Sequence, residues 1–155
     1  MTDAIIGTLG IYGAMLVIGI VSGLVPFVSV EICLVAAVAV AGNLWLAVAL
    51  GVLAAAGQMI AKVVLYQGAR RAATLGGEPK PNSKLARAKA MIDRWKDKPL
   101  ALTFISASVG LPPFYVVSLL AGLLGIRFRA FFALGMAGRT IRFVTVALVA
   151  LYASH

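Results

Sequence analysis

The sequence predicts an all-α integral membrane fold: a re-entrant helical hairpin plus a transmembrane helix, present twice as an inverted repeat, with a cytoplasmic amphipathic helix between the copies. Three observations carry that expectation. Of 155 residues, 62% are apolar and 12% charged, with a mean hydropathy of +1.02; a soluble domain needs more charge to cover its surface. The runs 4–30, 32–61 and 99–126 carry no charge, and each exceeds the roughly 20 residues a bilayer-crossing helix needs. Gly23-Leu24-Val25-Pro26-Phe27 returns 87 residues later as Gly110-Leu111-Pro112-Pro113-Phe114, with Val30 matching Val117 and Gly51 matching Gly138. Related halves with interrupted segments at corresponding positions point to a transporter site between the repeats.

Residues 4–24 form the first apolar segment, in which Gly19-x-x-x-Gly23 permits close helix contact within this chain or with a partner. The plainer reading is that glycine is frequent in membrane helices. Pro26 interrupts the run, 28–41 resume it, Gly42-Asn43 marks a polar turn, and 44–67 form a full span. Segment 4–24 is long enough to span alone, at about 31 Å. It therefore reads either as a span or as one arm of a hairpin.

The hydrophilic loop 68–98 follows. Asn82 or Ser83 is a candidate cap for a helix carrying Leu85, Ala88, Ile92 and Trp95 at helical spacing among Lys84, Arg87, Lys89, Arg94 and Lys96. A basic amphipathic helix of this kind reads as one lying on anionic inner-leaflet lipids, here over 82–98. After Pro99 come two apolar arms, 99–110 and 114–125, with Gly110, Pro112 and Pro113 at the break. Each arm reaches only about 18 Å, short of a hydrocarbon core of about 30 Å. Together they predict a hairpin that enters and returns to the same side. The last span is 128–153. The chain thus reads as one polytopic domain over 1–155, with repeat 1 at about 4–67, the basic loop at 68–98 and repeat 2 at about 99–153.

Charge sets the expected topology. Ten of the fourteen Lys and Arg residues fall between Lys62 and Lys98, which places that loop in the cytoplasm. A re-entrant 99–125 returns Arg127 and Arg129 to the same side; a straight span would put both outside. Both termini and Asn43 are then extracytoplasmic. The net charge of +9 therefore has a topogenic cause, and no aromatic–basic interleaving points to nucleic acid. Met1-Thr2-Asp3 lacks the basic start of a cleavable signal. Cys33, as a lone cysteine, forms no intrachain disulfide.

Glu31 lies five residues after Pro26, and Arg139 and Arg142 lie about a turn apart near the middle of the last span. Ionised groups at such depth face an interior or a wet cavity and find partners, which predicts a Glu31–Arg139 or Glu31–Arg142 pair. The plain alternative is a structural ion pair. A buried carboxylate can take up a proton while arginine cannot release one, so Glu31 is the candidate proton-coupling group. Paired guanidinium donors suit a phosphate, so Arg139 and Arg142 are the candidate substrate-binding residues. Gln58 and Lys62 are candidate cavity or headgroup contacts, Lys62 reading first as a side chain reaching up to the interface. Gly23, Pro26, Gly110, Pro112 and Pro113 are the candidate hairpin breaks. No nucleophile–His–acid set, phosphate loop or metal-ligand spacing is evident, and the one histidine, His155, is the last residue. The sequence therefore suggests neither an enzyme, nor a cofactor, nor a metal site.

Pro26-Phe27-Val28-Ser29-Val30-Glu31-Ile32-Cys33-Leu34 resembles the acidic re-entrant motif of the DedA family, also called the SNARE-associated or VTT-domain family. The later run Phe104…Pro112-Pro113…Ala121-Gly122…Phe128…Gly138 resembles its second motif, and the likeness covers about residues 15–150. The resemblance implies two re-entrant hairpins facing each other from opposite leaflets. It also implies lipid movement between leaflets, of undecaprenyl phosphate or phospholipid, often driven by the proton-motive force, with Glu31 as the embedded acid. This sequence departs from the pattern in two places. Ser29-Val30 stands where the family has Pro-Gly, and the arginines usually flanking the second proline are absent, a charge that Arg139 and Arg142 would supply from the next helix. The chain is short for the family, which points to a homodimer. The expected function is that of a flippase-like or scramblase-like lipid translocase of the bacterial inner membrane. A small-molecule or drug exporter and a non-transporting membrane scaffold are the alternatives.

Overall fold

The computed structural model describes residues 2–25, 27–75, 86, 87, 90 and 98–154. Among them it is all-helical: α1 (Thr2–Leu24), α2 (Val30–Ala41), α3 (Leu44–Thr74), α4 (Pro99–Val109), α5 (Phe114–Leu123) and α6 (Phe128–Ala153), with no strand. Helices α3 and α6 are long and apolar enough to cross a membrane. The surface helix expected over 82–98 lies outside the described residues, apart from Ala86, Arg87, Ala90 and Lys98.

The chain divides into two compact units, residues 1–61 with 139–155, and residues 62–138. Each unit holds one pair of shorter helices, or of a long and a short one, plus a portion of both α3 and α6.

In the first unit α1 packs on α2. Helix α1 runs unbroken for 23 residues, and Val25 already lies beyond its end. Ser29 is extended (φ −90°, ψ 104°), and α2 begins at Val30 with Glu31 in its first turn, where a carboxylate meets the positive end of the helix dipole. Gly42 ends α2 in the left-handed region (φ 58°), its N–H donating to Val38 O at 3.0 Å. Asn43 Oδ1 then accepts the Trp45 N–H at 2.9 Å and caps α3. The expected polar turn is thus a C-cap followed directly by an N-cap.

The small residues of α1 serve this chain itself. A Cβ on Gly19 would stand 2.9 Å from Ala54 O and 3.1 Å from Gly57 Cα, and one on Gly23 would stand 2.5 Å from Ala61 Cβ. The backbones of α1 and α3 approach that closely because neither glycine carries a side chain. Gly23 thus packs against α3 in the last turn of α1, one residue before that helix ends.

In the second unit α4 and α5 pack on each other through Leu102 and Leu120, with Val116 and Leu123 against them. Pro99 occupies the first turn of α4, where its missing N–H leaves no helical bond unmade. Gly110 (φ 87°) closes α4 with its N–H on Ser106 O at 2.9 Å. The Leu111–Pro112 peptide is cis, Ser106 Oγ donates to Pro112 O at 2.5 Å, and Pro113 stands at the start of α5. At 11 and 10 residues, α4 and α5 are each about 15–17 Å long. The other end of α5 closes at Gly125 (φ 68°), and Tyr66 Oη donates to Ile126 O while accepting from Arg70 Nη1 at 2.9 Å. Tyr66 stacks on Phe131 (4.9 Å between centroids), which stacks on Phe114 (5.9 Å), so one aromatic column joins α3, α6 and α5.

Candidate functional site around Glu31 and the arginines of α6

Glu31 and Arg142 lie in the first unit and meet across 111 residues of sequence. Arg142 Nε donates to Glu31 Oε1 at 2.7 Å, and Nη2 approaches the same oxygen at 2.5 Å. The two guanidinium donors converge on one oxygen, a charge-assisted contact in the short range. The side chains keep 26% and 37% of their surface, so the pair lies at the edge of the helix packing. The Glu31–Arg142 pairing that the sequence allowed is formed.

Arg139 is 9% exposed, one turn earlier on α6, with its guanidinium 5.8 Å from the centre of the Phe143 ring. Two guanidinium groups therefore accompany one carboxylate, a local excess of one positive charge, which attracts an anion. An apolar groove of about 500 Å³ opens beside the pair, lined by Ser29, Glu31, Ile32, Val35, Ala36 and Val146.

Gln58 is buried on α3 and donates from Nε2 to Ser22 Oγ at 2.8 Å; Ser22 in turn donates to Gly19 O at 3.1 Å. Gln58 thus bonds across to α1, at the glycine-lined approach. Its Oε1 is buried and accepts no hydrogen bond from the described residues. Ser22 was not singled out from the sequence, although a hydroxyl inside an uncharged helical run was the available signal.

Lys62 belongs to the second unit. Helix α3 continues through Gln67, Arg70 and Arg71 to Thr74, so Lys62 lies three turns from its end and is 5% exposed. Its Nζ stands 5.4 Å from the centre of the Tyr115 ring. Helix α3 continues past Gly68, since a single glycine costs a helix only about 1 kcal/mol. Of the candidate breaks, Gly110, Pro112 and Pro113 form the turn between α4 and α5, and Pro26 lies outside the described residues. Arg127 and Arg129 are exposed at the start of α6.

No protein-family model, curated protein or solved structure matches this chain.

Proposed function

We propose that this is a polytopic membrane protein that moves a phosphate-bearing lipid between leaflets, with Arg139 and Arg142 engaging the headgroup and Glu31 exchanging for it. The single observation behind this reading is the Glu31–Arg142 contact. Apart from Asp3, Glu31 is the one acidic residue among the six helices, and it is bonded to an arginine of a helix apolar enough to cross a membrane. A charged cluster in such a setting is a functional site by default. An incoming phosphate competes with the Glu31 carboxylate for the same guanidinium donors, and protonation of Glu31 would release Arg142 to the anion. That exchange couples binding to protons without any further group.

The unit composition supports reading α1–α2 and α4–α5 as two hairpins in an inverted repeat. Each unit pairs a helix couple with the first part of the long helix that follows it and the last part of the other one. The short α4 and α5 fit a re-entrant pair that turns back at Gly110–Pro113. The resemblance of 26–34 to the DedA acidic motif favours the same function, and with it a bacterial inner membrane, a cytoplasmic basic loop and extracytoplasmic termini.

Leaflet exchange of a fluorescent phosphate-bearing lipid in proteoliposomes, with and without a pH gradient, tests the reading. Glu31→Ala and Arg139→Ala are expected to abolish exchange while far-ultraviolet dichroism stays helical. Unchanged exchange in both variants removes the mechanism. A scaffold reading is favoured by one feature: Arg142 Nε and Nη2 both already contact Glu31 Oε1. On that reading, exchanging the two charges (Glu31→Arg with Arg142→Glu) restores full function, whereas on the transport reading it does not.

A further inference from the structure

We propose that Arg70 and Arg127 form a site for the phosphate monoester headgroup of a membrane lipid, at the turn where α5 passes into α6. The inference needs the membrane setting but draws on neither Glu31 nor the arginines of the first unit. All of its residues belong to the second unit.

The turn is built onto α3. A Cβ on Gly122 would stand 2.9 Å from Ala69 Cβ and 3.1 Å from Arg70 N, so the end of α5 lies against the backbone of α3 at Arg70. Tyr66 Oη donates to Ile126 O, and Arg70 Nη1 donates to Tyr66 Oη at 2.9 Å. Tyr66 is fully buried and stacked on Phe131, which fixes its hydroxyl. That hydroxyl tethers the exposed Arg70 beside Ile126, and the next residue is the exposed Arg127. A surface arginine gives up side-chain freedom when it binds a ligand, and Tyr66 has already restricted Arg70. The tether takes one of the five guanidinium donors; the others suit phosphate oxygens.

Charge selects an anion, and the surroundings select a lipid. Arg71 and Arg129 flank the pair in sequence and are exposed, and the described residues of the second unit include no aspartate or glutamate. Two guanidinium groups at one turn match the nearly double negative charge of a phosphate monoester better than the single charge of a diester. Apolar side chains are exposed on both sides of Arg127, Leu124 at 48% and Phe132 at 41%. Helices α3 and α6, which carry the two arginines or begin beside them, are long and apolar enough to cross a membrane. A soluble anion would use the arginines alone. A lipid phosphate also brings tails that cover the leucine and phenylalanine beside them, as at basic sites between membrane helices.

Tryptophan quenching at the turn tests this, using the full chain with Leu124→Trp, Trp45→Phe and Trp95→Phe in phosphatidylcholine vesicles. Phosphatidic acid brominated near its headgroup should quench saturably. The quenching should exceed that from phosphatidylglycerol and phosphatidylcholine brominated at the same place and present at the same mole fraction. Arg70→Gln and Arg127→Gln should each raise half-saturation about fivefold or more. Arg70→Lys should weaken binding too, because it keeps the charge and loses the planar fork.

Unchanged half-saturation in both glutamine variants would overturn the site. Equal quenching by phosphatidic acid and phosphatidylglycerol, or full binding in Arg70→Lys, would also overturn it and leave a diffuse basic surface in its place. Release of the excess quenching by millimolar inorganic phosphate, but not by chloride at the same ionic strength, would make this a site for a soluble anion and remove the lipid.

Discussion

Replacing Glu31 by Gln leaves Arg142 without the carboxylate it touches at 2.5–2.7 Å, one turn from the buried Arg139. The size of the effect depends on what surrounds the pair. With 26% and 37% of the two side chains exposed, a pair facing water would contribute about 0–1 kcal/mol, screened by salt. A pair facing hydrocarbon has no water to take the carboxylate's place. Removing one partner of such a pair costs about 3–5 kcal/mol. Because Arg139 adds like-charge repulsion, the upper part of that range is expected for Glu31→Gln in a bilayer. The companion change Arg142→Gln should recover most of the loss, since the double variant removes the neighbouring guanidinium together with the carboxylate and leaves Arg139 without its like-charge neighbour. Denaturant unfolding of the four proteins of this cycle, in lipid vesicles and again in a well-hydrated detergent, reads the coupling directly. A coupling above about 2 kcal/mol in lipid, falling in detergent, is the expected result. A coupling below about 0.5 kcal/mol in both media would refute the claim that this contact is held in an apolar setting.

Gly19→Ala should destabilise by about 1–2 kcal/mol, because overpacking against the backbone of Ala54 and Gly57 exceeds the gain of about 1 kcal/mol in helix propensity. Gly10→Ala, with nothing within 4 Å of the added methyl, should be neutral or stabilising in the same thermal melt; equal behaviour of the two would contradict the α1–α3 approach. Tyr66→Phe keeps the stack on Phe131 but strands Ile126 O and removes the acceptor of Arg70. A loss of about 1–3 kcal/mol in unfolding free energy is expected. Arg139→Lys retains the charge and loses the planar fork, so lipid exchange should fall although a cation remains, with a smaller loss than in Arg139→Ala. Cysteines at 127 or 129 should react only with a reagent that enters the cytoplasmic side, and labelling from the opposite face would remove the re-entrant reading of 99–125.

The chain's own pattern was enough to locate most helix boundaries, for reasons that are local. Pro99 starts α4, Gly110 with two prolines ends it, and Gly42-Asn43 separates α2 from α3 because a positive φ and an Asx cap need those residue types. The last helix, Phe128–Ala153, was legible to the residue, since it starts directly after Arg127. The end of α3 was not, because arginine and alanine after Gly68 prolong a helix as readily as they start a loop.

Residue type also singled out Glu31, Arg139 and Arg142, because an ionisable group in an apolar run is costly wherever the run ends up. That Arg142 meets the carboxylate depended on the rotation of its helix relative to α2, which periodicity cannot supply when apolar residues surround the charges on both helices. The same lack of a polar face hid the use of Gly19 and Gly23, the Gln58–Ser22 bond and the burial of Lys62. Those contacts join residues distant in sequence, and only the packed arrangement of the helices brings them together.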